Sequence, residues 1–495
     1  MAAKRGNGMT RIHMVGIGGA GMSAIAQILL AEGATVYGSD VDASATTERL
    51  QQWGARVAIG HRPENLGDAD LVVVSRAIAE DNPEVQEARR RGIPLLQRGE
   101  MLARLMASRK GVAVAGTHGK TTTTSMISLV LERGGLDPAV LVGGTVPHLG
   151  GNARPGKGEF LVAEADESDG SFLLLHPYIA VVTNIEADHL DHWGDLEHIV
   201  EGFGRFLDQV TPGGLAVVCD DDPLLRRMAE EGRQRGNQRW MTYGLAGQAD
   251  LMGVNPDLRP LGSRTEVRRS GRSLGYLELS VPGLHNVSNA LAAVAVGLEA
   301  GLSFNTIALA LSEFRGAQRR FQVTGEAGGV RVVDDYGHHP SEIKVTLRAA
   351  RRATPGQVIV CFQPHRYTRT HFLLDEFGQA FRDADHIFIT DIYAASEKPI
   401  PGVTGRSVAE SVRRHTGQQA EFVPSLADLP ERVAQVARPG DLVLTLGAGN
   451  IWTAGAHILE RLAGAAGASG GSPAGRPDGA ATPGREGAGW PSHQR

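Results

Sequence analysis

Residues 111–125 read GVAVAGTHGKTTTTS, which is a short apolar run, a turn with two glycines and a lysine, and a run of threonines. The apolar run predicts a β-strand, and TTTTSMISLVLERGG (121–135) predicts a helix. A glycine turn between strand and helix lets backbone N–H groups approach a phosphate, and the helix N-terminus adds positive potential. Lys120 is placed to neutralise a phosphoryl group, and Thr121 to offer its hydroxyl to Mg²⁺.

This turn departs from the strict G-x-x-x-x-G-K-[ST] pattern, because Val114 stands where the first glycine is required. Two interpretations are open from these residues alone. The turn is either a phosphate loop of a different kind or an ordinary glycine-rich turn with a surface lysine. The flanking strand and helix favour the phosphate loop.

Short apolar runs alternate with helical patterns in three regions, which start at RIHMVGIGG (11–19), at residue 111 and near VRVVDDYG (330–337). Such runs predict parallel sheets covered on both faces. The predicted fold class is therefore α/β with three domains: N-terminal Rossmann-like, central P-loop-type with a mostly parallel sheet, and C-terminal Rossmann-like. The predicted limits are 1–108, 109–316 and 317–463, with a disordered Gly/Ala/Pro-rich tail at 464–495.

The composition is that of an ordinary soluble enzyme, with 42% hydrophobic residues, 21% charged residues and a net charge of −5. Without a basic excess, and with only 5% aromatic residues, the chain is not expected to bind nucleic acid. No run approaches the roughly 18 apolar residues of a membrane span. Cys219 and Cys361 lack CxxC spacing, so we expect free thiols and a cytoplasmic protein. The sequence does not decide between a monomer and a homodimer.

A second glycine-rich motif, GIGGAG (16–21), follows the first predicted strand and opens a helix from about Ala20 to Glu32. Asp40 ends the next predicted strand, as in dinucleotide-binding folds. Any diphosphate suits this geometry, so the motif fits an NAD-dependent oxidoreductase or a site for a UDP-sugar. Close packing of helix on strand, without a ligand, is the third interpretation.

Polar clusters stand where parallel strands are predicted to end, which is where α/β sheets bind ligands. AEADESD (163–169) and TNIEADHLDHWG (183–194) offer carboxylates and an imidazole for divalent ions, or else solvated helix caps. VPGLHNVSNALAA (281–293) offers asparagines that either cap a helix or read an adenine edge. FQPHRYTRT (362–370) places two arginines that suit phosphate or carboxylate binding.

Taken in order, the blocks of this chain resemble the Mur ligases of peptidoglycan synthesis. They are GIGGAGM, AGTHGKTTT, AEADESD, TNIEADHLD, PGLHNVSNA, RRFQ, DDYGHHP, PHRYTRT and YAASE, and they extend from about Arg11 to Leu462. They look most like the branch that joins L-alanine to UDP-N-acetylmuramate, which implies ATP as co-substrate and two Mg²⁺ ions. Two other hypotheses stay open: a ligase that adds a preformed peptide to the muramoyl group in cell-wall recycling, and a non-enzymatic nucleotide-gated binding protein.

The resemblance also implies a role for each matched residue. The substrate-binding residues would be Gly18, Gly19, Ala20, Gly21, Met22, Asp40, His61, Tyr336 and His365. The ATP-binding residues would be Gly116, Thr117, His118, Gly119, Lys120, Thr121, Thr122, Asn289, Arg320 and Asp335. The catalytic residues would be Lys120, Glu164, His189, His338, Arg366 and Arg369. Thr121 and Glu164 would bind one metal ion, and Glu164 and His189 the second.

Overall fold

The computed structural model describes residues 10–236 and 238–469, which form three domains, each built on its own β-sheet. The first sheet is parallel, with strand order β3-β2-β1-β4-β5. Its strands are β1 Arg11–Val15, β2 Thr35–Asp40, β3 Arg56–Ile59, β4 Leu71–Val74 and β5 Leu95–Gln97, and its helices are α1 Ala20–Ala31, α2 Ala45–Gln52, α3 Pro83–Arg91 and α4 Arg98–Ala107. The strand order reverses direction at β1, so the glycine motif after β1 lies at the crevice where such sheets bind ligands.

The second sheet has the order β15-β14-β13-β12-β11-β10-β6-β9-β7-β8 and is parallel from β13 through β7. Its strands are β6 Lys110–Ala115, β7 Ala139–Val146, β8 Gly151–Arg154, β9 Phe160–Glu164, β10 Ile179–Val182, β11 Leu215–Cys219, β12 Arg239–Gly244, β13 Leu251–Arg259, β14 Gly262–Arg269 and β15 Arg272–Leu279. Its helices are α5 Lys120–Arg133, α6 Leu190–Trp193, α7 Leu196–Asp208, α8 Pro223–Arg235, α9 Leu284–Glu299 and α10 Phe304–Ser312. The strand before the phosphate loop, β6, is central and buried, and it fixes the loop at the middle of the sheet edge.

The third sheet has the order β16-β17-β21-β18-β19-β20, in which only the β16–β17 pair is antiparallel among the described strands. Its strands are β16 Gln322–Ala327, β17 Val330–Asp335, β18 Val358–Phe362, β19 His386–Ile389, β20 Ala420–Phe422 and β21 Leu442–Leu446. Its helices are α11 Pro340–Ala353, α12 Tyr367–Phe372, α13 Leu374–Gly378, α14 Gly405–Thr416, α15 Leu429–Val436 and α16 Thr453–Ser469.

The predicted fold class is confirmed, because three parallel-rich sheets are each packed with helices. The antiparallel edge β13–β15 was not predicted. Its strands alternate buried and exposed residues, which is the pattern of a sheet with one solvated face. The last helix continues to Ser469, past the predicted start of the tail, and residues 470–495 of that tail lie outside the described residues.

Apolar packing unites the first two domains and separates the third. One cluster contains Ile25 and Leu102 of the first domain together with Phe172 and Val130 of the second. The third domain has two clusters of its own, on the two faces of its sheet. Within the described part of the chain, no helix has the length and apolar character needed to cross a bilayer. Cys219 and Cys361 are buried free thiols, as predicted.

Candidate active site

The loop between β6 and α5 closes around the side chain of Lys120. Gly116 and Gly119 have φ angles of 128° and 83°, which L-amino acids with a side chain rarely adopt. The Lys120 Nζ donates to the carbonyl oxygens of Gly116 (2.6 Å) and Thr117 (3.1 Å) and to Glu167 Oε1 (2.7 Å). The ammonium therefore lies at the mouth of the loop with all three donors directed to oxygen.

This ammonium keeps its charge in a half-buried position. Burial lowers the pKa of Lys120, but the negative charge of Glu167 and of the neighbouring Asp166 and Glu164 outweighs burial, so the pKa lies above its usual value. A permanent cation at a helix N-terminus that also has free backbone N–H groups is a site for phosphate.

Glu164 provides a ligand atom for a cation beside the loop. Its Oε1 is buried and has no hydrogen-bond partner among the described residues. Burial raises the pKa of Glu164, against the backbone N–H of Gly143, the charge of Lys120 and the hydroxyl of Thr121. A buried carboxylate oxygen without a partner, next to a threonine hydroxyl, fits a hard divalent ion such as Mg²⁺.

These groups face a cleft, called here the central cleft, that residues of all three domains line. Its lining includes Gly21 and Arg98 of the first domain, Lys120, Thr121, Glu164, Glu167 and His189 of the second, and Arg320, Tyr336 and His338 of the third. The three predicted metal-binding residues, Thr121, Glu164 and His189, therefore share one space. Gly21, the last glycine of the first-domain motif, and the phosphate loop of the second domain both line it.

A second space, the junction cavity, lies on the other side of the phosphate loop, between the second and third domains. His118, Gly119, Thr122, Asn289, Arg320 and Asp335 line it together with apolar side chains of Val281, Phe314 and Ala317. A Cβ atom on Gly119 would lie 2.7 Å from Asn289 Oδ1, so this asparagine rests on the loop itself. Arg320 lines both the junction cavity and the central cleft, and it connects the two.

Two residues of the third domain are fixed by backbone groups. Asp335 accepts hydrogen bonds from the backbone N–H groups of Phe321 and Gly337, each at 2.7 Å. The carboxylate therefore connects the start of the third domain with the turn that follows β17. Burial is the main cause that raises its pKa, to about 6. His338 Nδ1 lies 3.0 Å from the Tyr336 carbonyl oxygen, which can only accept, so Nδ1 carries a proton and Nε2 an acceptor lone pair.

The arginines of PHRYTRT do not line the central cleft, but lie in an adjoining recess with Asp188 and His189. Arg369 is buried and donates from Nε (3.2 Å) and Nη2 (3.1 Å) to Asp188 Oδ1 of the second domain. Arg366 is freer, with 35% of its side chain exposed and its Nη1 3.9 Å from Glu397 Oε1. His365 stacks on Tyr393, with ring centroids 5.7 Å apart.

In the first domain, Asp40 and His61 belong to hydrogen-bonded networks. Asp40 Oδ2 accepts from the backbone N–H of Gly18 at 2.8 Å and so fixes the glycine motif. His61 Nδ1 lies 3.0 Å from Ser39 Oγ, which donates to the buried Glu84 (2.5 Å). Sequence reasoning missed Glu84, because it lies on α3, far from any recognised motif.

Sequence reasoning also missed two glutamates that hold His118. Its Nε2 lies 3.4 Å from Glu186 Oε2, and its Nδ1 lies 3.4 Å from Glu342 Oε1 of the third domain. Burial lowers the pKa of His118, but the charges of Glu342 and Glu186 outweigh burial and raise the pKa to about 9. The only sequence signal for Glu342 was its position three residues after His339, the spacing of a helix capping box.

Comparison with known proteins agrees with this arrangement. Three family models match in order: "Mur ligase family, catalytic domain" over residues 11–110, "Mur ligase middle domain" over 114–297, and "Mur ligase, glutamate ligase domain" over 319–449. Each covers one of the three sheets described above.

Individual relatives point the same way. A UDP-N-acetylmuramate–L-alanine ligase of Pelotomaculum thermopropionicum is 53% identical over 452 residues, which are 91% of this chain and 97% of that protein. The crystal structure of a UDP-N-acetylmuramate-alanine ligase from Thermotoga maritima superposes with a TM-score of 0.76 at 30% identity, over 92% of this chain and 99% of that one. A murein peptide ligase from Psychrobacter arcticus (TM-score 0.65, 24% identity, covering 92% of this chain and 99% of that one) shows likeness of fold alone. These comparisons show that the chain is an ATP-dependent ligase and that it belongs to the Mur ligase family.

Proposed function

We propose that this protein joins L-alanine to the muramoyl carboxylate of UDP-N-acetylmuramate at the expense of ATP, a step in the synthesis of peptidoglycan precursors. The observation that carries the proposal is the central cleft, which the last glycine of a motif suited to a diphosphate and a phosphate loop line together. The 53% identity to an L-alanine ligase along nearly the whole length of both proteins selects this amino acid. We further propose that the protein acts in the cytoplasm, in agreement with its two free thiols.

The substrates would be divided among the three domains. The diphosphate of UDP-N-acetylmuramate would lie on residues 18–22, with Asp40 fixing the motif and His61 near the uridine. The triphosphate of ATP would lie on residues 116–122, with its base in the junction cavity near Asn289. Arg320 touches both spaces, so it would bind ATP at the point where the γ-phosphate enters the central cleft.

The chemistry begins with activation of the carboxylate, which is a poor electrophile at neutral pH. A carboxylate oxygen attacks the γ-phosphorus of ATP, the bond to the β-phosphate oxygen breaks, and ADP leaves an acyl phosphate. Lys120 offsets negative charge on the transferred phosphoryl group. Two Mg²⁺ ions, for which Thr121, Glu164 and His189 are the proposed ligands, would supply the positive charge that lets two anions approach.

The amine of L-alanine then attacks the acyl carbon, and phosphate leaves as the tetrahedral intermediate collapses. An oxyanion forms in this step, and a nearby guanidinium would stabilise it. We assign this role to Arg366, because Asp188 already holds Arg369. The amine must lose a proton, and His189 and His338 are the candidate acceptors. Burial is the main cause that lowers the pKa of both, which favours the neutral form that can accept a proton.

The test is release of phosphate from ATP and Mg²⁺ with UDP-N-acetylmuramate present and L-alanine, L-serine, glycine or an L-Ala-containing tripeptide added in turn. We expect release that requires both the UDP-sugar and L-alanine. Release with the tripeptide alone would assign the protein to cell-wall recycling instead, and no release with any of them would contradict a ligase.

A matched pair of lysine variants ties that activity to the phosphate loop. Lys120→Ala should lower turnover by orders of magnitude, because the cation at the γ-phosphate is lost. Lys110→Ala should leave turnover unchanged. Lys110 is the first residue of β6, at the opposite end of this strand from the phosphate loop, and its exposed side chain pairs with Glu159. Equal turnover of the two variants would contradict the assigned role of Lys120.

A further inference from the structure

The glycine motif that would receive the sugar diphosphate carries no cation of its own. The motif and the first turn of α1 read GIGGAGMS (16–23), without lysine or arginine. The N-terminus of a helix offers only about half a positive charge. A sugar diphosphate carries more negative charge than that, so another part of the molecule must complete its neutralisation.

Arg98 is the cation in place to do so. It is the first residue of α4, and it lines the central cleft together with Gly21. Its Nη2 lies 3.5 Å from Asp166 Oδ2, and 26% of its side chain is exposed. This separation is longer than the roughly 2.7–2.9 Å of a strong charge-assisted hydrogen bond. The guanidinium therefore keeps donors for an anion that enters the cleft.

The backbone at Arg98 is held in place by the packing of α4 on the second domain. The next residue, Gly99, packs so closely on the turn at 171–174 that a Cβ atom there would lie 2.9 Å from Ser171 Cβ. Leu102 and Leu105, one and two turns further along α4, belong to the apolar cluster shared by the first two domains. The start of α4 is thus closely packed against the second domain, and the Arg98 side chain extends from it into the cleft.

Gly21 makes room for this arginine. A Cβ atom on Gly21 would lie 2.9 Å from Arg98 Nη1 and 3.0 Å from its Cδ. Gly21 lies inside α1, where alanine fits the backbone better than glycine does, so the backbone conformation does not explain the glycine. The space taken by the guanidinium does explain it.

We infer that Arg98 binds the diphosphate of the UDP-sugar, and that the third glycine of the G-x-G-x-x-G motif leaves the space in which its guanidinium lies. The diphosphate replaces Asp166 as the partner of Arg98 when the substrate enters. This inference rests on the proposed function for the identity of the ligand. It adds a binding residue from α4 to the set that the motifs indicate.

The first experiment measures dissociation constants by titration calorimetry for UDP, UDP-N-acetylglucosamine and UDP-N-acetylmuramate. Arg98→Ala should weaken all three by about 10- to 100-fold, the usual effect of a lost charge-assisted hydrogen bond, and Arg98→Lys should weaken them less. The control is Arg90→Ala, which removes an arginine of the same domain that pairs with Glu87 on α3, with 72% of its side chain exposed. This control should bind like wild type.

Two results would overturn the inference. If Arg98→Ala binds the three ligands as Arg90→Ala does, Arg98 has no role in binding. If only UDP-N-acetylmuramate is weakened, Arg98 recognises the muramoyl carboxylate and not the diphosphate. A wild-type protein that binds UDP but releases no phosphate with L-alanine would instead contradict the proposed function alone.

A second experiment uses the glycine. Gly21→Ala should displace the guanidinium and weaken UDP binding to nearly the same extent as Arg98→Ala, while the melting temperature stays at or above that of wild type. The double variant should be no weaker than either single variant, because both changes remove one interaction. Additive losses, or wild-type binding by Gly21→Ala, would contradict the proposed reason for the glycine.

Discussion

The first and second domains share an apolar cluster in addition to ion pairs, whereas the second and third domains meet mainly through charged side chains. Leu102 and Met106 of α4 belong to the same apolar cluster as Phe172 of the second domain. Among the described residues, no apolar cluster crosses to the third domain. There the contacts are Arg369 with Asp188, His118 with Glu342, and the Ser341 hydroxyl donating to Glu186.

This difference indicates which of the two domain junctions can open. A shared apolar core would expose its surface to water if the domains separated, so the first junction is expected to stay closed. Buried ions, in contrast, regain hydration when a junction opens, so little free energy separates the open and closed states. The junction cavity lies at this second junction, and ATP can therefore enter when it opens and be enclosed when it closes.

The largest expected effect comes from breaking the buried ion pair of the second junction. Asp188→Ala leaves the Arg369 guanidinium buried without a charged partner, which costs about 3–5 kcal/mol. We expect kcat/KM for ATP, measured by phosphate release, to fall by about 100-fold or more. The control, Glu32→Ala, removes a carboxylate from Arg109 at the first junction, where Arg109 keeps the carbonyl oxygens of Gly156 and Gly158. Similar activities of the two variants would contradict the distinction between the junctions.

An intermediate effect is expected in the apolar junction, and on stability instead of activity. Met106 is fully buried, and a Cβ atom on Gly111 would lie 2.2 Å from its Cγ. Met106→Ala should lower the free energy of unfolding by about 2–5 kcal/mol, measured with urea. Turnover per folded molecule should stay near that of wild type. Leu309→Ala, at a site 66% exposed, is the control and should change stability by less than about 0.5 kcal/mol. A clear loss of turnover per folded molecule in Met106→Ala would contradict a purely structural role of this junction.

The smallest effect is a pH dependence that belongs to His118, which faces Glu186, Glu342 and the ring of His339. Its pKa is about 9 in the folded protein against 6.5 without these contacts. The stabilisation is therefore complete below about pH 6.5 and is lost as the pH rises through about 9. It amounts to at most about 3 kcal/mol. The difference in unfolding free energy between wild type and His118→Asn should shrink from pH 7 to pH 10, and a constant difference would contradict the charged state of His118.

The sequence predicted what depends on neighbouring residues. Apolar runs and glycine turns predicted β6, the phosphate loop and α5, because the pattern of each element lies within about twenty consecutive residues. Contacts between domains depend on pairs far apart in the sequence. Asp188 and Arg369 are 181 positions apart, and each stands in a motif whose spacing says nothing of the other. A role of Arg369 in binding phosphate or carboxylate was expected from its residue type, whereas its partner Asp188 became visible only in the structure.

Arg98 shows the same limit. It stands in LLQRGEML, which reads as a strand followed by a helix and matches no motif for phosphate. Only the packing of α4 on the second domain and the absence of a side chain at Gly21 bring its guanidinium into the central cleft. The antiparallel strands β13–β15 were missed for a simpler reason. Their residues alternate between buried and exposed, and this pattern was not distinguished from that of the surrounding loops.

In the proposed mechanism, the cleft activates a carboxylate by phosphorylation before an amine attacks it. The most direct test follows oxygen through one reaction of UDP-N-acetylmuramate, labelled with oxygen-18 in its muramoyl carboxylate, with ATP, Mg²⁺ and L-alanine. Mass spectrometry of the released phosphate should find one labelled oxygen, because the carboxylate oxygen that attacks ATP leaves with the phosphate. Phosphate without label would contradict the acyl phosphate and the proposed role of the central cleft.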